Sequence, residues 1–138
     1  MRKLSSEDME FLTLFEQLTG AVAKDCIVEK EASVFVVKEG DVGRAIGKNG
    51  SAIERVRKSL KRKVFIVEEA SSEEDFVRNL FAPYPVKDLN IQEKNNERTA
   101  IVKIDSRHRG VVIGRGGERI KLSRALLQRH FELGLKLL

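Results

Sequence analysis

The sequence predicts an α+β protein of two tandem units, residues 1–70 and 71–138, each running α-β-β-α-α-β around a three-stranded sheet. Three observations carry this reading. First, GRAIGKNGSAIERVRKSL at 43–60 aligns without a gap on GVVIGRGGERIKLSRALL at 110–127. Gly43/Gly110, Ile46/Ile113, Gly47/Gly114, Gly50/Gly117, Ile53/Ile120, Arg57/Arg124 and Leu60/Leu127 coincide, and the 67-residue offset is the size of a small domain. Second, the same order of helical and strand patterns surrounds both copies. Third, charge alternates in step with the repeat: residues 1–41, 42–63, 64–97 and 98–138 carry formal charges of −4, +7, −5 and +7.

The elements follow in order. Ser5 and Ser6 are candidate N-caps ahead of acidic Glu7 and Asp8. Met9, Leu12, Phe15 and Leu18 then mark an amphipathic helix that stops near Gly20. Residues 25–30 and 33–38 alternate or run β-branched and read as strands, with Val64–Val67 as the third strand beyond the glycine loop and its helices. Glu68 to Ser72 marks the boundary. The second unit predicts a helix at 73–80, strands at 86–93 and 98–104, helices around 114–117, and a last strand at 135–138. Asn95-Asn96 reads as the turn between two strands, and Asp105 or Ser106 as the cap of the short helix that follows.

The repeated stretch carries the chemistry. Gly47 and Gly50, like Gly114 and Gly117, are separated by two residues, so the backbone can turn tightly and approach a ligand closely. Between them stand Lys48-Asn49 and Arg115-Gly116, which put a cation at each tip. Helical periodicity resumes directly after the second glycine, through Ile53, Val56 and Leu60 and again through Ile120 and Leu127. Each loop therefore presents its ligand to a helix N-terminus, where free N–H groups favour an anion. Ile46, Ile53, Ile113 and Ile120 frame a groove for bases or pack in the core. Arg44, Arg109, Arg119 and Arg124 are candidate secondary contacts to a nucleic-acid backbone. A Walker A loop does not fit, because three residues rather than four separate Gly43 from Gly47-Lys48 and Asn49 replaces the hydroxyl. A dinucleotide fingerprint starting at Gly114 fails because Arg119 occupies its third glycine position.

These segments resemble the GXXG loops of KH domains, and the element order resembles the type II KH arrangement. Two tandem KH units, together with the stretch DSRHRGVVIGRGGERIKL, resemble the archaeal branch of the NusA family; 138 residues leave no room for the S1 and additional N-terminal domains of its bacterial members. The resemblance implies single-stranded RNA as ligand, about four nucleotides per unit. It further implies association with RNA polymerase, a role in transcription elongation, termination or antitermination, and a cytoplasmic location. A monomer without a cofactor is expected. Two alternatives stay open: a tandem KH protein of ribosomal RNA maturation or ribosome assembly, and a KH fold used as a protein-interaction module.

Composition excludes several classes. The lone cysteine, Cys26, rules out an intrachain disulfide and suits a reducing compartment. No apolar run approaches the roughly 20 residues that span a bilayer. His108, His130 and Cys26 have no zinc spacing, and no nucleophile triad or paired-carboxylate constellation is present, so an enzyme is not expected. With no Trp and one Tyr, Tyr84, stacking platforms of the RRM or OB kind are not evident, and aliphatic side chains would meet the bases.

Overall fold

The computed structural model describes residues 4–138, which divide into two compact units meeting between Glu69 and Ala70. In the first, helix α1 (Ser6–Thr19) is capped by Ser5 rather than Ser6. The Ser5 hydroxyl accepts the Asp8 N–H at 3.0 Å and the Asp8 carboxylate accepts the Ser5 N–H at 3.2 Å, so two otherwise unpaired donors of the first turn are satisfied together. Gly20, with φ 76°, ends the helix in the left-handed conformation and donates to Glu16 O at 2.8 Å. Strands β1 (Ala23–Val28), β2 (Ala32–Val37) and β3 (Lys63–Glu68) form a sheet in that order. The β1–β2 pairing is antiparallel and the β2–β3 pairing parallel. Strand β1 lies two residues earlier than the apolar pattern predicts. The Glu29 N–H donates to Ala32 O at 2.9 Å, and that tight turn takes the residues the pattern had given to the strand.

A parallel pair needs a crossover. Here it consists of helix α2 (Val42–Ile46), the glycine loop and helix α3 (Ser51–Leu60). Strand β2 is buried along its whole length: all its residues but Ser33 are apolar, and the Ser33 hydroxyl donates to Lys63 O at 2.9 Å. In the core Phe15 stacks on Phe35 with ring centroids 4.3 Å apart, and Leu12, Cys26, Val37, Val56 and Val64 belong to the same cluster. Cys26, which forms no disulfide, is buried there, with its thiol donating to Asp8 O at 3.8 Å.

The second unit repeats the order: α4 (Glu73–Phe81), β4 (Val86–Lys94), β5 (Glu97–Ile104), α5 (Ser106–Ile113), the second loop, α6 (Glu118–Phe131) and β6 (Gly134–Leu137). Its sheet runs β4-β5-β6, antiparallel then parallel. Asn95 and Asn96 both have positive φ, 54° and 64°, the conformation of a two-residue hairpin turn matched to strand twist. Ser72 caps α4 by accepting the Asp75 N–H at 3.1 Å, and Arg98 on β5 donates two 2.7 Å hydrogen bonds to the Glu73 carboxylate. Phe76, Val77, Leu80 and Phe81 of α4 are buried, with Val102 and Leu126 among the fully buried residues. No helix among the described residues is long and apolar enough to cross a membrane.

Candidate nucleic-acid interface

Both glycine loops join a short helix to a long one, and they are built alike. Gly47 N–H donates to Gly43 O at 2.8 Å and Gly50 N–H to Gly47 O at 3.1 Å; Gly114 and Gly117 repeat these bonds at 3.0 and 3.1 Å. The first glycines have φ/ψ of 78°/170° and 80°/172°. Packing as well as backbone angle demands glycine there, because the following helix folds back over the turn. A Cβ on Gly47 would stand 2.7 Å from Ala52 N and 2.8 Å from Ala52 Cβ, and one on Gly114 would stand 3.0 Å from both Arg119 N and Arg119 Cβ. The third loop residue is left-handed in both units, at φ/ψ 56°/29° for Asn49 and 63°/17° for Gly116. Asn tolerates that region, which explains how one loop carries Asn and the other Gly.

The polar groups of the two loops point to an anion. Lys48 and Arg115 are exposed, and neither makes a hydrogen bond or ion pair among the described residues. The backbone amides of Lys48 and Asn49, and of Arg115 and Gly116, likewise have no backbone acceptor. An exposed cation on the same turn as two N–H groups without a backbone acceptor, at the entrance to a helix, is a favourable setting for a phosphate oxygen.

The four isoleucines separate into two kinds. Ile46 is 40% exposed and Ile113 half-buried, so both lie at the surface beside their loops. Ile53 and Ile120 are buried, each with its Cγ2 about 4 Å from where a Cβ on the second glycine would be. They support the turn from below, and their core role is the one the structure shows.

The arginines also separate. Arg44 is exposed and unpartnered among the described residues. Arg109 donates to Leu138 O at 2.9 Å. Arg124 donates to Leu135 O at 3.2 Å, and Arg57, its equivalent in the first unit, to Val64 O at 3.3 Å. This coincidence in the repeat therefore has a structural reason: each guanidinium ties the long helix to the unit's last strand. Arg119 donates to Ala82 O at 3.1 Å and lies 5.8 Å from the Tyr84 ring centroid, where burial pulls its guanidinium pKa below the ordinary value.

Two supports of the loops are not legible in the sequence. Asp41 is buried, and its Oδ2 accepts the Val22 N–H at 2.8 Å, which fastens α2 to the segment before β1. The equivalent position in the second unit is His108, which packs on Tyr84 at 4.8 Å between ring centroids. The same join is thus made once by a carboxylate and once by an aromatic ring. Only the 67-residue offset could have linked the two positions. Asp105 caps α5, accepting Arg107 N–H at 2.9 Å and Arg107 Nε at 3.1 Å. The Arg107 guanidinium and amide hold its carboxyl well below the usual carboxylate range.

Comparison with known proteins places this geometry. Residues 12–71 match the KH domain family and residues 73–135 the NusA-like second KH domain. The chain is 38% identical to the probable transcription termination protein NusA of Halococcus morrhuae, over 94% of its own length and 93% of that protein's. The chain belongs to the archaeal NusA family. A second NusA, from Methanocaldococcus jannaschii, is 31% identical over 95% of this chain and 72% of its own length. The crystal structure of APE1850 superposes with a TM-score of 0.80 at 30% identity, covering 98% of this chain and all of that one. In NusA-family terms each half is a KH unit, and the two glycine loops occupy the same place in both.

Proposed function

We propose that this protein is a single-stranded RNA-binding transcription factor of the NusA type that grips the RNA backbone with two GXXG loops. The observation that carries the reading is the matched pair of loops, each with one unpartnered cation and two amides that lack a backbone acceptor. Lys48, Arg115 and those amides hold phosphates, Ile46 and Ile113 border the base grooves, and Arg44 adds a backbone contact. The relatives' names favour transcription over ribosome assembly. On the family reading the protein acts with RNA polymerase, in the cytoplasm and as a monomer, in elongation, termination or antitermination.

The test is binding of a short unstructured RNA and its DNA equivalent across a salt series. Wild type is compared with Lys48→Asp/Asn49→Asp and with Arg115→Asp/Gly116→Asp, each first shown by circular dichroism to be folded. Both variants are expected to lose about tenfold or more in RNA affinity and to show a shallower salt dependence, since each replaces a phosphate-attracting group by a repelling one. Wild-type affinity in both folded variants would show the loops to be purely structural.

A further inference from the structure

The loops share a backbone but not their surroundings. We propose that the salt-sensitive share of RNA affinity belongs to the first loop and the helix behind it, while the second loop meets the strand through a more apolar surface. This rests on the reading that the loops hold single-stranded RNA.

The repeat allows a position-by-position comparison. Arg44, Arg55 and Lys58 are exposed and unpartnered among the described residues. At the equivalent positions 67 residues on stand Val111, Leu122 and Ala125. Val111 is 44% exposed, Ala125 is exposed and Leu122 is buried. On α3, Arg55 and Lys58 fall on the same side as Ser51, the residue directly after the loop, because side chains four and three apart share a helix face. Ile53, Val56 and Leu60 point the opposite way, into the core. The first loop therefore opens onto a run of cations that continues along its helix.

The second unit offers one charge in return. Glu54, bound to Arg57 in the first unit, has exposed Lys121 as its counterpart. The other arginines of the second unit near its loop are each anchored within the unit, which restricts how far they can turn toward a ligand: Arg109, Arg119 and Arg124 each donate one N–H to the carbonyl oxygens of Leu138, Ala82 and Leu135, and Arg107 pairs with Asp105. Acidic Glu118 directly follows the loop. Over the equivalent stretches 43–58 and 110–125, with Lys48 and Arg115 matched, the unpartnered cations among the described residues are Arg44, Lys48, Arg55 and Lys58 in the first unit against Arg115 and Lys121 in the second.

The whole chain tests this with a labelled unstructured single-stranded RNA titrated at several salt concentrations. Each phosphate neutralised on a single strand contributes about 0.7 to the slope of log affinity against log salt. The triple variant Arg44→Ala/Arg55→Ala/Lys58→Ala should flatten that slope by about 2, so a fourfold rise in salt weakens it about 16-fold less than wild type. Arg115→Ala/Lys121→Ala should flatten it by no more than about 1.4, and Val111→Arg/Ala125→Lys should steepen it. All these positions are at the surface, and circular dichroism verifies the fold of each variant. A triple variant that flattens the slope by less than about 1 overturns the division of labour, as does a larger flattening from the second-unit pair. The Asp loop variants separate the two levels. If they lose binding while the triple variant keeps the full slope, only the division falls; if they bind like wild type, the loop reading falls with it.

Discussion

Replacing the first glycine of a loop should be far more damaging than replacing the second, and the structure gives the size of the difference. Gly47 has φ/ψ of 78°/170°, a region essentially reserved for glycine, where any other residue is strained by about 1–3 kcal/mol. A Cβ there would also stand 2.7 Å from Ala52 N and 2.8 Å from Ala52 Cβ, with Ser51 Oγ at 3.0 Å. Two of these atoms belong to the start of α3 and cannot swing aside, so overpacking adds about 1–3 kcal/mol. Gly47→Ala should therefore destabilise the first unit by about 4 kcal/mol, the midpoint of those combined ranges. Gly50 has φ 75° and ψ 15°, ordinary left-handed geometry, and its Cβ would meet nothing closer than Ile53 Cγ2 at 4.0 Å. Gly50→Ala should cost about 1–2 kcal/mol. For a unit of this size the gap corresponds to about 10 °C or more in melting temperature. The assay is urea unfolding followed by the backbone amide resonances of Val56 and Val64, both in the core of this unit. A Gly47→Ala variant no less stable than Gly50→Ala would refute the argument that α3 closes over the turn.

Two further substitutions test the core of the first unit and a helix cap of the second. Phe15→Ala removes a ring that is fully buried and stacked on Phe35, and should lower stability by about 3–5 kcal/mol in urea titrations; a loss below about 1 kcal/mol would mean the core collapses to fill the space. Asp105→Asn bears on pH. The folded Asp105 carboxyl is depressed by its hydrogen bonds from Arg107 relative to an unfolded value of about 3.9, so its stabilisation is complete above that value and is lost as pH falls through the folded one. The stability difference between wild type and Asp105→Asn should thus shrink as the solution is taken from neutral to strongly acid, and a difference that stays constant in urea titrations across that range would contradict it.

The sequence by itself determined the duplication, the α-β-β-α-α-β order, the two loops and the cation at each tip. These are local properties: glycine spacing, apolar period and capping residues act within a few positions of chain, and a gapless repeat exposes them twice. Strand ends were less legible, since the Glu29–Ala32 turn rather than apolar alternation decides where β1 stops. Side-chain roles were least legible. Ile46 and Ile53 look equivalent in the sequence, yet one is exposed and the other buried, because α3 turns Ile53 beneath Gly50. The arginines of the second unit look like one basic patch, but Arg119 reaches back 37 residues to Ala82 and Arg124 reaches the last strand. Asp41 and His108 share a repeat position and differ in every chemical respect, and each joins a short helix to the segment before a strand. Which cations remain unanchored is fixed only once the chain has folded, because a guanidinium is held in place by a carbonyl that only the tertiary structure brings within reach.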